Sequence, residues 1–239
     1  MCFSYSVNLK ADRLQSRLDL PEVVLPQSGY FFSGFSYPLL PVIVANGNLH
    51  MTTMHWGLIP GWVKDEKQAL EMRKLTLNAR GETMHTKPMF RHAFQRHRCL
   101  VPAAGFYEWR DFNKKKYPYY VFPANDDCFL FAGIFDVWTN RESGEEISSY
   151  SIITCEANAL MSVIHNSKLR MPLILEDSDI QTWLHGTPDE CLKLVKPYPD
   201  EHMMAHTLSP IASQARADRN TPEVQEKYVY PELEQNLLF

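Results

Sequence analysis

The chain has 239 residues, 45% of them apolar and 12% aromatic, enough for one large folded unit with a substantial core. A net charge of −4 argues, taken alone, against a nucleic-acid partner, and no stretch approaches the roughly 18 apolar residues of a membrane span. Met1-Cys2-Phe3-Ser4-Tyr5 has neither a basic nor an apolar run, so no signal peptide is expected, and five cysteines without a CxxC pair fit reduced cytoplasmic thiols better than disulfides or a zinc site.

In chain order, Val42 to Ala45, Asn46-Gly47 and Leu49 to Trp56 read as a β-hairpin with a two-residue type I′ turn. A helical stretch precedes Leu77, and Lys87 to His97 is a basic helix candidate. Strands follow at Arg98 to Pro102, Phe106 to Arg110, Tyr117 to Phe122, Phe129 to Trp138 and Ile147 to Cys155, with turn chemistry at Asp111-Phe112-Asn113 and Asn140 to Gly144. Helices are expected at Ala157 to Ile164 and at Asp177 to His185, the latter ending at Gly186. A further one opens on the capping box Thr187-Pro188-Asp189-Glu190 and runs to Val195. Strands in succession, without strict strand–helix alternation, predict an α+β fold. It is expected as a single domain over 1–239, with a largely antiparallel, barrel-like sheet system, peripheral helices and an extended tail from about 215.

Charge is unevenly spread. Arg73 to Lys116 holds eleven Lys/Arg and three acids, a local balance of +8 that leaves −12 for the rest. With His85, His92 and His97 and several aromatics, this segment is a candidate phosphate-binding face, the alternative being a solvated face balanced by acids elsewhere. GxGxxG, Walker, HExxH and GxSxG motifs are absent. His202 and His206 have helical metal spacing but fall in a predicted strand, so neither metal nor cofactor is expected. Cys99, Cys128 and Cys155 read as core thiols.

Cys2 stands apart because a small second residue makes Met1 easy to remove. The result is a 1,2-aminothiol, which attacks an aldehyde through nitrogen and closes a five-membered thiazolidine through sulfur, an intramolecular step of high effective molarity. Its α-amine titrates at about 7.7–8.0 and its thiol near about 8.5 in unperturbed form. In Gly105-Phe106-Tyr107-Glu108-Trp109, strand alternation puts Glu108 either beside Phe106 in a desolvated setting, where its pKa rises, or out in solvent with Tyr107 and Trp109 as the core face. His165 leaves a helix end beside Asn166 to Arg170 as either an acid/base or a cap, and unperturbed would titrate near about 6.5.

Together these elements resemble the SRAP family, the SOS-response-associated peptidase domain, whose members include sensors of abasic sites. The resemblance rests on Met1-Cys2, His55 to Trp62 (HWGLIPGW), Asn78-Ala79-Arg80 with Glu82-Thr83, Gly105 to Trp109, Ile164-His165 and Arg170-Met171-Pro172, in the family's order. It implies Cys2 as the crosslinking nucleophile, Asn78 as the residue orienting its amine, and Glu108 with His165 as a proton-transfer pair. It implies Arg80 and Arg170 as phosphate contacts, and Trp56 and Trp62 as residues flanking a DNA channel or supporting its wall. The partner implied is single-stranded DNA with abasic sites, including junctions with duplex, bound by a cytoplasmic, nucleoid-associated monomer. Self-removal of Met1 and abasic-site lyase activity follow from the same resemblance. Two departures stand out. Phe3-Ser4 replaces the usual Gly-Arg after Cys2, and Asn166 to Leu169 lengthens the link between His165 and Arg170. The competing readings are a cysteine peptidase acting on other proteins and a non-covalent single-strand binding module.

Overall fold

The computed structural model describes residues 2–23, 25, 27–124 and 128–234. In chain order these form β1 (Ser4–Ser6), α1 (Ala11–Leu18), β2 (Phe32–Ser33), β3 (Leu39–Asn46), β4 (Asn48–Trp56), α2 (Glu66–Leu75), β5 (Asn78–Arg80) and α3 (Arg91–Arg96). Then come β6 (Arg98–Ala103), β7 (Gly105–Phe112), β8 (Lys115–Pro123), β9 (Phe129–Thr139), β10 (Glu146–Glu156), α4 (Ala159–Ile164), β11 (Arg170–Pro172), α5 (Ile180–His185), α6 (Pro188–Lys193), β12 (Met203–Thr207) and α7 (Pro231–Glu234).

Two sheets organise the α+β fold. One runs β12-β8-β7-β1-β2, antiparallel throughout. In the other, β10-β4-β3-β6-β9 closes on itself, because β9 also pairs along β10, and the result is a five-stranded barrel with β5 and β11 added to β10. Among the described residues only the β10–β4 and β10–β5 pairings are parallel. Closure leaves no exposed ladder edge within the ring. The strand sequences report this environment: Phe129 to Ile134 of β9 is buried on both faces, after which exposed Val137 alternates with buried Trp138.

The expected hairpin forms, but its tip differs. Ala45 pairs with Leu49 and Asn46 with Asn48, so the turn centres on Gly47, whose φ is +79°. A type I′ turn needs positive φ at both central residues, and Asn46 lacks it. The left-handed pair lies instead at Asn113 and Lys114, with φ of 48° and 62°, between Phe112 and Lys115 of the β7–β8 hairpin. The helix expected over Lys87 to His97 is regular only across α3, after hydrogen-bonded turns through residues 81–90. The Thr187–Glu190 capping box is present in both directions, although α6 ends at Lys193, two residues early. Helix α1, which buries Leu14 and Leu18, is absent from the sequence expectations, although Ala11, Leu14 and Leu18 carry the i, i+3, i+7 spacing of a short amphipathic helix.

The segment from 215, expected as a tail, packs onto the protein as far as it is described. Asn220 Oδ1 accepts the Tyr30 N–H at 2.7 Å, Tyr230 donates to the Leu208 carbonyl at 2.9 Å, and Val224 and Leu233 are buried. Residues 235–239 lie outside the described part. No helix among the described residues is long and apolar enough to cross a membrane.

Candidate active site

Cys2 lies two residues before the start of β1 and is fully buried, its thiol directed to the Ser4 carbonyl at 3.5 Å. Asn78, the first residue of β5, donates from Nδ2 to the Cys2 carbonyl at 2.8 Å. The short β5 owes its position to the parallel ladder of Asn78 to Arg80 with Ile152 to Thr154 of β10. The N-terminus is thus held by a side chain fixed to the barrel wall. Burial, reinforced by the nearby charge of Glu108, pushes the Cys2 thiol well above its usual range. At neutral pH it is a thiol, not a thiolate.

Glu108 comes from β7, the strand paired with β1. Tyr5 is opposite Phe106, and the same register carried two residues further sets Phe3 opposite Glu108. Of the two faces open to Glu108 from the sequence, the structure takes the desolvated one: the residue is 4% exposed, and burial raises its carboxyl to about 7. Tyr107 is buried as well, so this strand has no solvent face at Glu108.

His165 caps the C-terminus of α4, and its Nε2 lies 3.7 Å from Glu108 Oε2. Its Nδ1 is 2.7 Å from the Arg170 carbonyl. A carbonyl only accepts, so Nδ1 carries the proton and the neutral ring presents an Nε2 lone pair toward Glu108. Burial lowers the imidazole to about 4, well below the ordinary value near 6.5. The long link to Arg170 serves this geometry. Leu169 adopts a left-handed φ of 53° and returns its N–H to the His165 carbonyl at 2.8 Å. Asn166 exchanges two hydrogen bonds with the Asp111 backbone, at 3.0 and 2.7 Å, tying the loop to β7.

The expected DNA-contact residues divide. Arg80 is exposed at the end of β5. Trp62 is 46% exposed beside Pro88, Arg91, His92 and Gln95, around a depression of about 720 Å³. Trp56 is fully buried, donates from Nε1 to the Leu77 carbonyl at 2.8 Å and packs edge-on against Tyr5. Direct stacking on a base is closed to it, which leaves support of the wall. Arg170 is 8% exposed. Its guanidinium makes a bidentate pair with Glu82 at 2.7 and 2.9 Å and donates to the Thr154 carbonyl at 2.7 Å. A phosphate would have to displace Glu82 to reach it.

This pairing gives a stability prediction. Arg170→Ala removes the bidentate partner of Glu82, which is 40% exposed, and one of the two donors to the Thr154 carbonyl, the other being the Gly81 N–H, and should destabilise the fold by about 1–2 kcal/mol in urea unfolding. Conversely, a loss under about 0.5 kcal/mol would mean that the pair contributes little and that the arginine can be released to a ligand.

The basic segment is also less available than its count suggests. Arg98 donates to the Phe94, Trp183 and Gly186 carbonyls, and Arg73 lies 4.3 Å over the Tyr37 ring. Lys74 is on the surface but paired with Glu71 at 2.7 Å, while Arg80, Lys87, Arg91, Arg96, Lys114, Lys115 and Lys116 are also exposed. Next to Glu108 and His165 the structure opens a cavity of about 490 Å³ that Phe3, Trp109, Lys116, Lys168 and Arg219 also line. The role of Lys168 and Arg219 had no sequence signal, because they arrive from a loop and a C-terminal segment distant in sequence. Lys116 lay inside the basic run, without anything to single it out.

Residues 1–214 match the family described as SOS response associated peptidase, SRAP. The chain is 33% identical over 235 residues to the abasic site processing protein YoqW of Bacillus subtilis, covering 95% of this chain and 100% of that one. It is 34% identical over 195 residues to the abasic site processing protein HMCES of Xenopus tropicalis, covering 72% of this chain and 56% of the relative. A crystal structure of a Bacteroides thetaiotaomicron protein superposes with a TM-score of 0.86 at 34% identity, over 95% of this chain and 100% of the other. On its motifs, its fold and these matches, the chain belongs to the SRAP family.

Proposed function

We propose that this protein captures abasic sites in single-stranded DNA, including junctions with duplex, by forming a thiazolidine between the sugar aldehyde and Cys2 after Met1 is removed. The observation that carries the reading is that Asn78 holds the Cys2 carbonyl while Glu108, close enough for its charge to act on the Cys2 thiol, lines with His165 and Phe3 the adjacent cavity. The relatives named as abasic site processing proteins support it.

Each group has a defined task. Asn78 holds the Cys2 carbonyl and so aims the free α-amine. The amine nitrogen attacks the aldehyde carbon to give a carbinolamine, whose hydroxyl leaves as water with a proton from Glu108. A carboxyl poised near 7 can both give that proton and take one back. Sulfur then adds to the imine carbon while the thiol proton passes to nitrogen, so protein and aldehyde combine with loss of one water. The raised thiol supports this order, amine first and sulfur second. His165, neutral and fixed as the Nδ1–H tautomer, can relay protons to and from Glu108. The same groups would serve hydrolysis of the Met1–Cys2 bond, and an imine that escapes ring closure can undergo β-elimination, the lyase reaction.

A cysteine peptidase acting on other proteins fits less well, because such a nucleophile needs a lowered thiol pKa at an open cleft. Here the thiol is buried and its pKa is raised. We treat the chain as one domain acting as a monomer. Exposed Arg80 and the other surface cations of the basic segment favour backbone contacts. Arg80→Ala should lower the slope of log affinity against log salt by about 0.7 for a single strand, the share of one phosphate; an unchanged slope would remove Arg80 from the interface.

Mass spectrometry of the purified protein tests the first requirement. Active material should lack Met1, since an amide-linked Cys2 nitrogen cannot form an imine. Uniform retention of Met1 in material that crosslinks would eliminate the thiazolidine route.

A further inference from the structure

Away from Cys2 and the cavity beside Glu108 and His165, one group of side chains has no part in the chemistry above. His92 lies on α3, His97 directly follows that helix, and Asp136 sits on the adjoining strand β9. His92 Nδ1 is 3.8 Å from Asp136 Oδ2, and His97 Nδ1 is 3.6 Å from Asp136 Oδ1. The three ligand atoms lie within 4.8 Å of one another, and no second such group occurs among the described residues.

These separations are too long for hydrogen bonds. They are close to the spacing of about 3.4 Å between donors that share a tetrahedral ion at about 2.0–2.1 Å. His97 Nδ1 is buried without a hydrogen-bond partner among the described residues, and it faces the carboxylate across this gap. We propose that His92, His97 and Asp136 form a binding site for a zinc-class divalent ion.

The surroundings favour an ion over a pair of loose ion contacts. Asp136 is 5% exposed, and each of its oxygens already accepts one backbone N–H at 2.9 Å, Oδ2 from Gly61 and Oδ1 from Val137. Both oxygens keep a lone pair for a further partner, and the carboxylate plane is fixed, as supporting hydrogen bonds fix metal ligands. Gly61 is required for that approach: a Cβ there would lie 3.0 Å from the Val137 carbonyl and 3.6 Å from both Asp136 oxygens. The His97 ring is held by stacking on Phe135, with centroids 5.1 Å apart. His92 is the exposed member, free to swing the last ångström inward.

Two imidazoles and one carboxylate select zinc, cobalt or nickel over magnesium or calcium. Three protein ligands leave one position open, and the depression lined by Trp62, Arg91 and His92 gives access to it. The bound ion would clamp the end of α3 to β9 and to the Gly61 loop, next to Trp62.

Zinc titration of chelator-stripped protein against a chromophoric chelator, without DNA, tests the site. Wild type should take up one ion per chain. His92→Ala and His97→Ala should each weaken uptake at least about tenfold, and His202→Ala, remote from the cluster, should not. Saturating zinc should raise the Tm of wild type but not of His92→Ala, whose metal-free Tm should equal wild type because His92 is exposed. No uptake by wild type at micromolar zinc would overturn the assignment, as would uptake by both His variants as tight as that of wild type. Neither outcome bears on crosslinking, which is read separately through Cys2.

Discussion

Cys2→Ala is expected to abolish the heat-stable DNA adduct, a loss of at least about a thousandfold, while single-stranded DNA affinity changes little. The Cys2 sulfur is the atom that makes the product stable. An alanine N-terminus freed of Met1 still offers an amine, so a reversible imine and some strand cleavage can persist, but no sulfur closes the ring. Intramolecular closure supplies the large factor because the thiol is already two carbons from the imine nitrogen. Cys2 is fully buried and small, so the substitution leaves the β1–β7 pairing and the Asn78 hydrogen bond to the residue 2 carbonyl in place. Denaturing gel electrophoresis with abasic single-stranded DNA measures the effect. A heat-stable adduct from Cys2→Ala would assign the nucleophile to another residue.

The second large effect concerns the proton-transfer pair. Glu108→Gln and His165→Ala should slow single-turnover adduct formation by about 10²- to 10⁴-fold, the usual contribution of a general acid–base group, with DNA affinity nearly intact. The pH profile should report Glu108 rather than His165. A histidine titrating at its ordinary value near 6.5 would bend the profile there, but burial moves His165 down to about 4, so it stays neutral from pH 5.5 upward. Glu108 near 7 then sets the fall on the alkaline side, where its protonated form is lost.

The same shift predicts stability. Folding raises the Glu108 pKa from 4.5 to about 7, so it favours the protonated carboxyl; that stabilisation is complete below about 4.5 and is lost as pH rises through about 7. Removing the ionisable group should therefore make Glu108→Gln more stable than wild type at pH 8, by about 3 kcal/mol. His165 runs the other way, with its contribution complete above 6.5 and lost as pH falls through about 4. Urea midpoints of wild type and Glu108→Gln at pH 5 and pH 8 separate the two. Parallel midpoints at both values would show that Glu108 ionises normally.

Much of this architecture was legible in the sequence because local signals and tertiary demands coincide. The strands over β6 to β10 carry alternation or continuous apolar runs with turn residues between them, and Thr187 to Glu190 spells out its own cap. The motif order placed Cys2, Asn78, Glu108 and His165 in one site, and the geometry brings them together. What stayed hidden depends on partners far along the chain. Nothing near Arg170 indicates that Glu82, 88 positions away, takes its guanidinium. Trp56 reads as an aromatic beside a functional motif, and only the packing of Tyr5 and Tyr150 makes it a core residue. The face of Glu108 was undecidable from alternation, because both sides of β7 are covered there. Asp136 sits in a strand that reads as ordinary core, so its meeting with His92 and His97 exists only in three dimensions.

Intact mass spectrometry of the protein after incubation with abasic single-stranded DNA tests the central claim most directly. One new species is expected, whose mass equals the chain without Met1, plus the DNA, minus one water, and that survives heating. The Cys2→Ala sample should hold only the unmodified protein after the same heating. A wild-type sample with no adduct, or an adduct that retains Met1, would contradict it.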